Sequence, residues 1–115
     1  MTGEGPEYVF DQVQIGRGLR PLAQHGFVVV DRGTLTLLGS DRRRIDSAPL
    51  ATVTGRPVRM TRGQTVALTV NGTRYNVSPG WGARPRLVLP GDTAHVRTAA
   101  QALLHLVAEG GGRVS

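Results

Sequence analysis

Metal ligation needs histidines, thiolates or carboxylates gathered on one face, and this sequence does not offer that pattern. Its histidines are His25, His95 and His105, and it has no cysteine. His95 and His105 stand ten residues apart on an expected helix, which is neither the i, i+3 nor the i, i+4 spacing of a helical ligand pair. Without cysteine there is no thiolate site and no disulfide scaffold. Asp46-Ser47 sets a carboxylate beside a hydroxyl, but a nucleophile also needs a base within hydrogen-bond reach. No serine sits in a Gly-x-Ser-x-Gly elbow, and no carboxylates are paired at a useful spacing. Gly16-Arg17-Gly18 lacks the strand and helix that flank a phosphate loop. The residue types therefore point away from an enzyme, and neither a cofactor nor a metal is expected.

Arginine is the remaining chemistry. All 14 basic residues are arginine, against 8 acids, for a net charge of +6. Such an excess suits an anionic partner: nucleic acid, acidic lipid or acidic protein. A GC-rich genome supplies the same excess through codon bias, and that reading stands beside the first. Only Arg42-Arg43-Arg44 forms a run, short of the 5–8 basic residues of a nucleic-acid patch. Aromatics are 4% of the chain, too few for a base-stacking platform, and the expected helix carries one arginine, Arg97. Nucleic acid is not the expected partner.

The elements that would carry these residues fit one small domain of 115 residues. No apolar run approaches the roughly 20 residues of a bilayer crossing, and no signal-peptide pattern opens the chain. Residues 1–7 and 110–115 are small and polar and read as loose tails, leaving 8–109 as the domain. Tyr8–Ile15 fits either a strand with one irregularity or a short helical face; the β-rich composition favours the strand. Residues 16–25 read as a connection. FVVV (27–30) and TLTLL (34–38) flank Asp31-Arg32-Gly33, which predicts a three-residue hairpin loop with Val29 facing Leu35 and Phe27 facing Leu37. TVALTV (65–70) and TRYNVS (73–78) flank Asn71-Gly72, the strongest short hairpin signal, with Val70 opposite Thr73, Leu68 opposite Tyr75 and Val66 opposite Val77. Between the hairpins Ile45, Leu50 and Val53 point inward, Val58 and Met60 resume a strand, and Pro49 and Pro57 demand bends or edges. RLVL (86–89) is one more short strand.

A helix closes the chain, capped by Asp92 or Thr93 and ended by Gly110. Val96, Ala99, Ala100, Leu103, Leu104, Leu106 and Val107 share one arc, which must lie on an apolar surface. Short antiparallel strands followed by one amphipathic helix predict a mainly β (α+β) fold. The segment FVVVDRGTLTLLGSDRRRIDSAPLATV resembles the strand–turn–strand and Pro-Leu segment of bacterial pleckstrin-homology-like and GRAM-like domains. TVALTVNGTRYNVS resembles their later hairpin, and TAAQALLHLVAEG their closing helix. The resemblance spans about residues 26–109 and rests on apolar spacing. It implies an antiparallel barrel or orthogonal sandwich of about seven strands, capped by one C-terminal helix. It also implies a binding module without catalytic machinery, whose relatives bind phosphoinositides, other anionic lipids, peptides or protein surfaces. The basic loop used by lipid-binding members is shrunken or sparse here: Asp31-Arg32-Gly33 on one reading, residues 16–25 with Arg17 and Arg20 on the other.

Hairpin parity, with one reversal near Gly55–Pro57, brings Arg42, Arg43, Arg44 and Arg62 to one rim with Trp81 close by. Such a rim suits anionic headgroups or acidic peptide; a solvated turn is the plain alternative, and Trp81 is either an exposed anchor or a plug over the sheet's open end. The expected function is a protein-interaction module in the cytoplasm, docking by a strand edge or a groove beside the helix. The alternative is peripheral binding of anionic lipid through the arginine rim. Pairing of exposed edges would also permit a homo-oligomer.

Overall fold

Turn chemistry sets the hairpins. In a computed structural model, which describes residues 8–58, 64–79 and 94–115, Asn71 and Gly72 both take positive φ (51° and 79°). They join β6 (Val66–Val70) to β7 (Thr73–Ser78) in the expected register, with Leu68 opposite Tyr75 and Val66 opposite Val77. Val66, Leu68, Val70, Tyr75 and Val77 all lie buried on one face.

The earlier hairpin corrects its expected register by one residue. β2 (Arg20–Asp31) and β3 (Thr34–Leu38) are joined by Arg32-Gly33 alone, both at positive φ (52° and 76°), so Val30 faces Leu35 and Val28 faces Leu37. Val28 and Val30, not Phe27 and Val29, line the core with Leu35 and Leu37. A one-residue slip moves every side chain to the other face. FVVV is apolar on both faces, so its pattern cannot choose between the two registers.

β1 (Tyr8–Arg17) is a strand, with Gln12 at φ 52° and register shifts against β2 from Phe10 to Gly16. These bulges break the two-residue alternation that would mark it in the sequence. Residues 16–25 are no open connection. Arg17 pairs with Arg20 across a two-residue turn, Gly18-Leu19, and β2 continues from there. Pro21 fits because β3 pairs β2 only from Phe27 onward, leaving that edge free.

β4 (Arg44–Pro49) pairs with β3, and a 3-10 turn at Leu50–Thr52 leads into β5 (Thr54–Pro57), which pairs with β6. The break therefore falls at Pro49–Thr52, while Gly55–Pro57 lie inside a strand. The strand order is β4-β3-β2-β1-β7-β6-β5-β8. The curled sheet brings edge strand β4 back to the β6–β7 turn, where Asn71 Nδ2 donates to Ser47 O at 2.7 Å.

α1 (Ala94–Glu109) buries Ala100, Leu103 and Val107 in the same core as Val13, Ile15, Val28, Leu37 and Leu68. Leu104 lies over Gly55, where an added Cβ would come within 2.9 Å of its Cδ2. The helix ends as Gly110 N donates to Leu106 O, with Gly111 at φ 93°. Residues 110–115 are not a loose tail throughout. Arg113–Val114 form β8, parallel to β5, and Gly112 sits where any Cβ would strike the carbonyls of Val53 and Leu50. Residues 1–7, Met60, the 86–89 segment and the Asp92/Thr93 cap lie outside the described residues.

Candidate functional site

The β3–β4 turn holds three of the five residues expected at a site. Gly39 N donates to Arg43 O, Arg42 N donates to Gly39 O, and Arg42 adopts φ 66°. Asp41 takes the Arg43 amide at 3.0 Å and its guanidinium at 3.5 Å. That pair is exposed on both sides and contributes little to stability. The Arg42 guanidinium lies 5.3 Å from the centre of the Phe27 ring. Phe27, turned out of the core by the observed register, thus gains an outward role. Arg44 is exposed at the start of β4. The structure brings Arg42, Arg43 and Arg44 together on one turn; Arg62 and Trp81 lie outside the described residues.

This turn leans on β2. His25 N donates to Ser40 Oγ at 3.1 Å, and His25 Nδ1 meets Gln12 Oε1 at 2.7 Å. The bulged Gln12, β2 and the arginine turn are therefore linked at one end of the sheet.

Beyond it projects the β1–β2 tip. Gly18 has φ +60°, and no atom lies within 4 Å of where its Cβ would be. Leu19 is fully exposed, at 104% of its reference area. Arg17 and Arg20, also exposed, face each other directly beneath it. A cleft of about 350 Å³ opens beside the tip, lined by Gln14, Gly16, Arg20, Gln24, Asn76 and Ser78 among others. Sequence reading missed Leu19 because residues 16–25 carry no alternation. The available signal was the short Arg17-Gly18-Leu19-Arg20 turn, with a glycine at its first central position.

A second feature lies between the start of β1 and α1. Tyr8, Val9 and Phe10 face Ala102, His105 and Leu106 across an apolar groove of about 300 Å³. Tyr8 and Val9 are half exposed, at 50% and 52%. His105 Nε2 and Glu109 Oε1, 2.6 Å apart, close one side.

A part-buried polar cluster is structural in geometry. Asp46 accepts from Tyr75 Oη (2.7 Å), Asn71 Nδ2 (2.7 Å) and the Ser47 amide (2.9 Å). Burial pushes the Asp46 carboxyl up, but these three bonds and the nearby Arg44 charge outweigh it and hold it below its ordinary value. Burial, then the bond to Asp46 and its charge, push the Tyr75 hydroxyl up. These bonds tie β4 to the β6–β7 hairpin. Among the described residues no three His, Cys, Asp or Glu side chains gather as a metal site would require. No described helix is long and apolar enough to cross a membrane.

No protein-family model matches the sequence, and no curated protein matches it. Solved structures do match in three dimensions. The pleckstrin homology domain of mouse ethanol decreased 4 protein superposes with a TM-score of 0.61 at 14% identity, covering 96% of this chain and 92% of that one. The PH domain of human oxysterol binding protein-related protein 11 gives 0.55 at 12% identity, covering 96% and 88%. At such identities the likeness concerns the fold: a mainly antiparallel, PH-like sheet with one C-terminal helix.

Proposed function

We propose that this chain is a non-catalytic binding module whose partner is another protein. The groove between β1 and α1 carries the reading. It is apolar, flanked by a helix, and bordered by two half-exposed large side chains that the fold leaves uncovered. Soluble proteins leave such surface open mainly where something else covers it. Each apolar side chain that a partner peptide buries there contributes about 1.5–3 kcal/mol. The test is a double variant, Val9→Glu with Ala102→Glu, both at exposed positions. A protein partner captured by the wild type should bind the variant at least about tenfold more weakly, a loss of about 1.4 kcal/mol. The same partner should bind Arg17→Glu/Arg20→Glu unchanged. Equal binding by the groove variant, or loss only in the arginine variant, rejects the groove.

The hairpin tip favours a second reading, peripheral binding of anionic lipid. An exposed leucine between two arginines, with Arg42 and Arg43 on the neighbouring turn, matches an apolar tip under a charged collar. Burying Leu19 in the interfacial region contributes about 1.5–3 kcal/mol, and each nearby arginine about 1 kcal/mol. Vesicle sedimentation with and without acidic lipid tests it. Binding should require acidic lipid, weaken with salt, and fall in Leu19→Ser and in Arg17→Gln/Arg20→Gln. No sedimentation at low salt eliminates this reading.

A further inference from the structure

We infer that the outer face of β5, β6 and β7 holds an anion site that takes a phosphoryl group, separate from both surfaces above. Strand register puts its parts in order. Arg113, Thr54, Thr69 and Arg74 form one row across β8, β5, β6 and β7. Arg56 and Ala67 form the next row. Residues in register share a face, so Arg56 and Arg74 flank a floor of Thr54, Thr69 and Ala67, with Arg113 at the end of the row on β8.

A cleft of about 160 Å³ lies on this floor, lined by Thr54, Arg56, Ala67, Thr69, Arg74 and Ser115 among others. Its scale suits a compact anion of one or two phosphoryl groups rather than a longer chain. Arg56, Arg74 and Arg113 are exposed, and among the described residues neither ion pair involves them. No Asp or Glu side chain lines the cleft. Guanidinium forks and threonine hydroxyls are donors matched to tetrahedral oxyanions, and charge-assisted bonds of this kind are the strong ones. The small floor residues leave room above them. A doubly charged phosphoryl group uses more of these donors than a single carboxylate does.

The arrangement differs from the β3–β4 turn in one decisive respect. There Asp41 sits against Arg43; here Arg56 and Arg74 line the cleft beside two threonine hydroxyls, and no Asp or Glu side chain lines it. The group could come from a soluble phosphate ester or from a phospholipid headgroup, and the chemistry recognised is the same.

The probe is pyrophosphate, titrated at low salt into the full chain while the backbone amide signals of Thr54, Thr69 and Arg74 are followed by NMR. Saturable shifts confined to these strands are expected. Arg56→Gln/Arg74→Gln should weaken the apparent affinity by at least about tenfold, while Arg32→Gln/Arg97→Gln, which removes the same charge elsewhere, should change it less than about twofold. The unperturbed remainder of each spectrum verifies that both variants fold. Phosphatidic acid vesicles that displace pyrophosphate from these signals assign the headgroup as the source; vesicles without effect assign a soluble ester. Shifts scattered over all arginine-bearing turns, equal losses in the two variants, or no saturation would overturn the site.

Discussion

The seam between β4 and the β6–β7 turn and the tip of the β1–β2 hairpin are both built from polar residues around a two-residue turn. They use those residues in opposite ways. At the seam, Asp46, Asn71, Tyr75 and Ser47 bond to each other across the edge of the sheet. At the tip, Arg17 and Arg20 face each other like-charged, below a leucine that touches nothing. Groups whose bonding capacity is met internally hold the fold, whereas like charges around exposed apolar surface are a cost that a ligand can relieve. The contrast separates stabilising chemistry from binding chemistry, and each prediction below tests one side of it.

The largest effect belongs to the seam. Asp46→Ala removes the acceptor of the buried Tyr75 hydroxyl, which keeps its bond with Thr73, and frees the Asn71 amide from one of its two bonds. Losing bonds to a charged acceptor lowers stability by about 2–3 kcal/mol, measurable by denaturant unfolding. Tyr75→Phe should cost less, because it removes one donor and leaves Asp46 its others. The double variant should fall short of the summed losses, since both residues share one network. Additive losses would mean that the seam is not cooperative.

The seam also predicts how stability depends on pH. Asp46 ionises below its ordinary value in the folded chain, so its ionised form contributes fully above the unfolded-state value, near 3.8. That contribution disappears as pH falls through the folded value. Tyr75 is shifted the other way: its contribution is complete below 10.0 and lost as pH rises through the folded value. Stability curves for Asp46→Asn and Tyr75→Phe should be flatter than wild type at the acid and alkaline ends respectively. Leu19→Ser, an uncharged change at the tip, should leave both ends unchanged. Unaltered curves for the seam variants would break the contrast.

Legibility in the sequence follows the same division. The seam's hairpin was readable because Asn71-Gly72 names its own turn, and Leu68 and Tyr75 then fall opposite each other without further information. The helix was readable because Leu103 and Val107 recur on one arc and both are buried. Asp46 was visible as a residue but not as a partner of Tyr75, since the two are joined only by curling the whole sheet. The tip was hidden by the bulge at Gln12 and by the lack of alternation past Gly16. The β2–β3 register was lost because Arg32 supplies a positive φ that arginine does not advertise. β8 carries a single apolar residue, Val114, so hydrophobic period offers nothing to find it by.

A middle-sized effect probes the tip's backbone rather than its side chains. Gly18 has φ +60° and open space around the missing Cβ, so Gly18→Ala meets no neighbour and pays for conformation alone. A loss of about 1 kcal/mol is expected. Gly26→Ala makes the contrast: its Cβ would sit 2.5 Å from Leu38 O, in backbone that cannot yield, and the loss should be larger. Equal losses would show that the tip is packed more tightly than its exposure implies.

The smallest effect is the most informative about function. Leu19→Ser removes an apolar side chain that has no contact to lose and is exposed throughout. Surface changes of this kind stay within about 0.5 kcal/mol. Serine also suits a turn, and it lifts an unfavourable apolar exposure, so the melting temperature should hold or rise slightly. An exposed leucine from which the fold gains nothing is free to serve a partner. If Leu19→Ser leaves unfolding untouched yet abolishes sedimentation with acidic vesicles, the tip is a binding element and the seam is not. If the same substitution destabilises the chain by as much as Asp46→Ala does, Leu19 belongs to the folded core, and the division between the two regions fails at its exposed end.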